Sequence, residues 1–149
     1  MPTILVIEDE HLARFPWRHH LGKSGYDCDL AVDGFDGVES VDADRHAMVF
    51  SDLIMPHWDG IEVVRKIRRC GLRLPVVIMV PRLDPTVITR CRNAGANGVV
   101  PKPVSQRTIQ QTIRELVGEI HEERLGIGDR TRRRERQARD MRLAALRGS

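Results

Sequence analysis

Residues 48–56 read Met48-Val49-Phe50-Ser51-Asp52-Leu53-Ile54-Met55-Pro56, a short apolar run that ends in one carboxylate and gives way to a loop carrying Pro56, Asp59 and Gly60. An apolar run of this length bounded by turn residues reads as a buried strand, so Asp52 is delivered to a strand tip. Two other segments end the same way. Ile4-Leu5-Val6-Ile7 runs into Glu8-Asp9-Glu10, and Gly98-Val99-Val100 runs into Pro101-Lys102-Pro103. A lone acid at a strand end is more often a helix cap or turn former. Three strand ends that bring carboxylates and one lysine together argue for a site instead.

Taken in order, the chain alternates strand and helix signals. Residues 3–8 read as the first strand and about 10–23 as the first helix. Pro16 falls inside that helix, where it removes a backbone donor and clashes with the preceding turn, so a kink or a late start near Phe15 is expected. Residues 26–31 alternate like a strand. Asp33-Gly34 opens a second helix to about Val41, expected to be weak because it carries glycine. Ile61, Val63, Val64 and Ile67 mark a third helix from about Gly60 to Cys70, ended by Gly71. Residues 75–80 form a buried strand, and Asp84-Pro85 pairs an N-cap with proline at the first helical position. Gly98–Val100 is the last strand. Ser105 caps a fifth helix whose apolar face is Ile109, Ile113, Leu116, Val117 and Ile120. Five strands alternating with five helices require crossover connections, hence an α/β fold with a parallel sheet covered on both faces.

The composition narrows the function classes. With 149 residues and 41% hydrophobic content, the chain has room for one sizeable core plus an appendage. No apolar run approaches membrane-spanning length, and the Met-Pro-Thr-Ile-Leu start lacks the basic character of a signal peptide, so a cytoplasmic protein without membrane contact is expected. Cys28, Cys70 and Cys91 are widely spaced and suggest neither a disulfide framework nor zinc. His11, His19, His20, His46 and His121 form no metal or nucleophile pattern, and His57 and Trp58 read as rim residues of the loop after Asp52. The net charge of +3 conceals an asymmetry. From Arg124 onward nine arginines face three acids, giving +6 and leaving residues 1–123 at −3.

Clustered carboxylates repel one another and retain protons unless a cation lies among them. Oxygen donors without His or Cys suit Mg²⁺. Glu8 and Asp9 after the first strand, Asp52-x-x-Met55-Pro56 after the third and Lys102-Pro103 after the fifth resemble, in order and spacing, the receiver domain of two-component response regulators. The resemblance covers about residues 2–121. It implies a flavodoxin-like, doubly wound five-stranded sheet in the order 2-1-3-4-5, a receiver domain over 1–122 and an arginine-rich tail over 123–149. It also implies that Asp52 accepts a phosphoryl group and that Asp9 and Asp52 bind Mg²⁺ directly. Glu8 would do so through water and Ile54 through its backbone carbonyl, with Lys102 neutralising charge during transfer. The implied donor is a phosphohistidine on a sensor histidine kinase or phosphotransfer protein, and the output partner is left open.

Two positions depart from the family pattern. Val80 stands where the family usually has Ser or Thr, and Val99 where it usually has an aromatic. The hydroxyl normally binds a phosphoryl oxygen and the aromatic then turns inward; valine does neither. The leading expectation is a single-domain response regulator, at most accepting and later losing its own phosphoryl group rather than acting as a dedicated enzyme. A receiver-like scaffold that never takes phosphate is the first alternative. The tail beyond Gly126 and Gly128, with Ala138, Met141, Ala145 and Leu146 at near-helical spacing, reads first as a solvated, partly helical segment and next as a binder of acidic protein surfaces. Nucleic acid, reached through its arginines, is the third possibility and is not favoured, because base readout needs a fold this segment lacks.

Overall fold

The computed structural model describes residues 2–125 and the single position 141; of residues 119–125 it describes the backbone alone. Strands β1 (Thr3–Ile7), β2 (Asp27–Ala31), β3 (His46–Asp52), β4 (Val76–Val80) and β5 (Gly98–Pro101) alternate with helices α1 (His11–Lys23), α2 (Gly34–Ser40), α3 (Gly60–Arg69), α4 (Pro85–Ala94) and α5 (Gln106–Leu125). All neighbouring strands are parallel, in the order β2-β1-β3-β4-β5. Because successive side chains along a strand point to opposite faces, each strand feeds two cores. Leu5, Ile7, Val49, Val76, Ile78 and Val80 pack with Ile61, Val64, Ile67, Ile88 and Cys91 from α3 and α4. Ile4, Val6, Met48, Phe50, Val77 and Met79 pack with Trp17, Leu21, Ile109, Ile113 and Leu116 from α1 and α5. This two-sided burial is why β1, β4 and residues 48–50 of β3 read as unbroken apolar runs, whereas the edge strand β2 alternates.

The helix starts follow from side-chain caps. Asp33, Asp59 and Asp84 accept from Asp36 N at 2.7 Å, Glu62 N at 2.9 Å and Thr86 N at 2.8 Å, and Ser105 Oγ accepts from Thr108 N at 3.1 Å. Gly95 ends α4 at φ +115°, the left-handed conformation that glycine adopts without steric cost. The late start expected for α1 is not seen. The helix begins at His11 and runs through Pro16, whose side chain is exposed while Trp17 and Leu21 one turn apart face the core. Pro16 removes the donor that the Leu12 carbonyl would meet in an unbroken helix, and Leu12 is itself 84% exposed. Trp17 meets Phe50 with ring centroids 4.9 Å apart, a pairing that adds about 0.5–1.5 kcal/mol beyond area burial.

Helix α2 is short, but its glycines are packing positions. A Cβ on Gly37 would run into the side chain of Ile7, and one on Gly34 would meet the Trp58 carbonyl and Val63. Cys28 and Cys91 are buried, which pushes both thiols up to about 11, and Cys70 is exposed. Helix α5 continues to Leu125, beyond residue 122. Among the described residues no helix is long and apolar enough to cross a membrane. The hinge read at Gly126 and Gly128 and the pattern of Ala138, Ala145 and Leu146 lie outside the described residues.

Candidate functional site

The carboxyl ends of β1, β3 and β5 are neighbours or near neighbours at one end of the sheet. Glu8 follows β1 directly, Asp52 closes β3 and Lys102 follows β5, so parallel pairing alone carries all three to one crevice. One ligand oxygen from each of Glu8, Asp9 and Asp52 lies within 4.8 Å of the others. Glu8 and Asp52 are buried, and Asp9 is half-buried. Lys102 Nζ bridges the two buried acids, 2.7 Å from Asp52 Oδ1 and 3.0 Å from Glu8 Oε2.

The two buried acids are served differently. Glu8 accepts from Lys102 on one oxygen and from Glu10 N at 3.2 Å on the other. Asp52 has only its ion pair to Lys102: neither of its oxygens accepts a well-aligned hydrogen bond among the described residues. Burial, then the neighbouring Glu8 carboxylate, push the Asp52 carboxyl up to about 8, against the opposing pull of Lys102. Lys102 is itself raised by Asp52 and Glu8, which outweigh the desolvation that acts against its charge. A cluster of hard oxygen donors with an under-served buried carboxylate is chemically suited to a divalent cation of the Mg²⁺ type.

The loop after Asp52 is set by close approach. Leu53 N donates to Met79 O at 2.9 Å and Gly60 N to Leu53 O at 2.8 Å. A Cβ on Gly60 would overlap the Asp52 carbonyl, so glycine lets α3 start directly against the acid-bearing strand end. Ile54 lies in this loop with an exposed side chain. His57 is exposed at φ +66°, and Trp58 is half-buried between Phe35, 5.6 Å away, and Lys66, 4.3 Å from its ring. Val80 and Val99, the two departures, are both buried in the apolar cluster shared with α3 and α4.

The site-end residues were readable as strand termini; other polar groups were not. Arg68 on α3 donates to Gly95 O, Leu72 O, Leu74 O and Asn97 Oδ1, tying the α3–β4 loop to the α4–β5 loop on the opposite end of the sheet from Asp52. Buried His46 donates through Nε2 to Asp29 at 2.7 Å, since its Nδ1 already accepts from Asp42 N. Arg45 grips the same Asp29 carboxylate, and these two partners hold it down at about 2. No local pattern announces either cluster, because their partners are backbone carbonyls or residues many positions away.

A family model for the response regulator receiver domain matches residues 4–114. The response regulator MprA of Mycolicibacterium vanbaalenii is 33% identical over 118 residues, covering 78% of this chain and 51% of its own length. MprA of Mycobacterium leprae is 33% identical over 114 residues, covering 76% and 50%. The chain thus spans about half the length of the curated relatives it matches. Among solved structures, chemotaxis protein CheY4 of Vibrio cholerae superposes with a TM-score of 0.72 at 24% identity, over 78% of this chain and 98% of that one. A CheY-like receiver domain protein from Methanospirillum hungatei gives 0.75 at 20% identity, over 83% and 98%. Because the receiver domain model matches residues 4–114, most of its length, the chain belongs to the response regulator receiver domain family of two-component signalling.

Proposed function

We propose that this receiver accepts a phosphoryl group on Asp52 from a phosphohistidine of a sensor kinase or phosphotransfer protein and signals through a changed protein interface. The observation that carries the reading is the state of Asp52: a buried carboxylate at a strand end, beside Glu8, whose oxygens accept no well-aligned hydrogen bond among the described residues and which is ion-paired to the Lys102 ammonium. Such an acid has a lone pair to offer and a cation beside it. In the transfer, an Asp52 oxygen attacks phosphorus in line, the P–O bond forms as the P–N bond to the donor imidazole breaks, and the imidazole nitrogen keeps the electron pair. Lys102 neutralises charge on the transferring oxygens while Glu8 holds the ammonium from its other side. Asp9, Asp52 and the Ile54 carbonyl, with Glu8 behind them, would hold Mg²⁺, which when bound supplies further charge neutralisation for those oxygens.

A second reading has its own observation. Val80, fully buried at the end of β4, offers no hydroxyl to a phosphoryl oxygen, as a scaffold that never takes phosphate would also have it. Intact mass after exposure to a small acyl phosphate with Mg²⁺ separates the two. The phosphorylated reading expects one added phosphoryl group, lost in Asp52→Asn. An unchanged mass for the wild-type protein, with Mg²⁺ binding confirmed, would establish the scaffold instead.

A further inference from the structure

The charges of this receiver are sorted along the sheet. Residues 1–62 carry thirteen acids against four Lys or Arg, while residues 63–114 carry eleven Lys or Arg against Asp84 alone. In a sheet ordered β2-β1-β3-β4-β5, the acidic half is the β2 edge and the basic half is the β4, β5 edge. The sorting is sharpest over residues 27–44, which hold seven acids and no lysine or arginine. They form edge strand β2, helix α2 and their connections. Asp27, Asp33, Glu39, Asp42 and Asp44 are exposed there.

The same face shows apolar surface. Val32 is 50% and Phe35 60% exposed, and Phe35 leans on Trp58 of the loop after Asp52. Phe35 lies in α2 and Val32 just ahead of it, both on the outer side, because Gly34 and Gly37 turn the helix's other side into the core. Asp33 and Asp36 adjoin this patch, Asp36 accepting from Val32 N at 3.0 Å, while Lys66 lies over the ring of Trp58, and apolar surface beside acids fits a segment that is both cationic and apolar. The chain contains one. Residues 130–147 carry eight arginines against Glu135 and Asp140, interleaved with Ala138, Met141, Leu143 and Leu146.

We infer that residues 130–147 dock on the β2–α2 face of their own chain, with arginines on its acids and the apolar residues over Val32 and Phe35. Reach does not restrict the choice. At about 3.3 Å per extended residue, the 22 residues from 126 to 147 span roughly 70 Å, several times the radius of gyration of about 14 Å expected for the domain. Charge does restrict it, because the β4, β5 half repels an arginine-rich segment and the β2–α2 face attracts it. Tethering supplies an effective concentration on the order of millimolar, so a contact too weak to persist between separate molecules is well populated within one. The docked segment would lie beside Trp58 at the rim of the Asp52 crevice. The inference does not depend on phosphoryl transfer.

Paramagnetic broadening in the full-length chain tests it. Cys28 and Cys91 are buried, so Cys70→Ser with Ser149→Cys takes a nitroxide at position 149 alone. The expected result is that amide signals of residues 27–44 lose most of their intensity relative to the reduced label. The loss should vanish at ~1 M salt, where the Debye length shrinks to about 3 Å, and on replacing Arg132, Arg133, Arg134 and Arg136 by Ser. Glu39→Arg should weaken it without touching the tail. Broadening confined to residues 63–114, or to the end of α5, overturns the inference, as does broadening that salt leaves intact. Mixing nitroxide-bearing chains with isotope-labelled, nitroxide-free chains tests the occupant: loss in that mixture assigns the face to a second copy and overturns the proposal. A mixed-sequence duplex that binds the tail at ~0.15 M salt, with no intramolecular broadening in its absence, overturns it in favour of nucleic acid.

Discussion

At Asp52 the requirement of the fold and that of the chemistry pull in opposite directions. The strand end must be dry to be held, yet a dry carboxylate resists ionising, and its carboxyl sits near 8 because burial and Glu8 outweigh Lys102. The folded state therefore holds the Asp52 proton more tightly than the unfolded chain, whose value is 3.8. The stability this contributes is complete below about pH 4 and is lost as pH rises through about 8. In metal-free solution, Asp52→Asn removes that loss while Lys102 keeps Glu8 as its partner. The variant should melt several degrees above the wild type at pH 8, with the gap closing toward pH 5, as a difference of roughly 1–3 kcal/mol would produce in a domain of this size. Thermal melts in chelator across that range check it, and adding Mg²⁺ should raise the wild type but not the variant. An equal melting temperature at pH 8 would mean that Asp52 carries no burial penalty. The position of Asp52 was legible because an apolar run pointed at it. Its lack of hydrogen-bond partners was not, since that depends on Glu8 spending its own oxygens on Glu10 N and Lys102, a contact across 94 positions.

Among the elements, those whose signals are local are the ones the sequence announces. Strands β1, β3 and β4 are built on the apolar runs at residues 4–7, 48–50 and 76–80, and Asp84-Pro85 or Ser105 caps the very helix it precedes. Pro16 does not delay the start of α1, because the residue sits on the exposed side of the helix, where it is tolerated. Arg68 was invisible for a related reason: one guanidinium on α3 satisfies carbonyls at 72, 74 and 95 and the Asn97 amide, whose oxygen also accepts from Val76 N. Burial, with Arg73 nearby, lowers that guanidinium from its ordinary value, but no other side chain offers five donors in a planar fork. Arg68→Ala should leave several of these acceptors unserved and cost about 2–4 kcal/mol, read as a lower denaturation midpoint at unchanged slope. Arg68→Lys should recover only a minor part, because a single ammonium cannot reach four acceptors spread over two loops. A loss below about 0.5 kcal/mol for Arg68→Ala would place the clamp among surface contacts of no weight.

For the molecule as a whole, the question is whether an event at Asp52 reaches the far edge of the sheet. Coupling of that kind needs an element with two comparable arrangements and a ligand that prefers one of them. On the path toward α4 and β5 stand Val80 and Val99, both buried in one apolar cluster with Ile88 and Cys91 of α4. Side chains in such a cluster are held by close packing alone, with no polar group that a new phosphoryl oxygen could draw toward itself. Phosphorylation should therefore alter the loop after Asp52 and the Val80-Pro81 turn while leaving residues 84–101 nearly unchanged. Amide hydrogen exchange with and without a small phosphodonor and Mg²⁺ measures this directly. Val80→Thr should add a hydroxyl beside Asp52 and slow loss of the phosphoryl group, yet still leave residues 84–101 quiet, because Val99 has no second rotamer that exchanges burial for exposure on the scale an aromatic ring does. A large phosphate-dependent change over 84–101 in the wild-type protein would show that the bistable element lies elsewhere in the fold. In that case α4 itself is the first place to look: it is anchored at one end by the Asp84 cap and at the other by the Gly95 turn against Arg68. Loosening Arg68 would then change the phosphate response as well as the stability, and the two effects would separate in the Arg68→Lys variant.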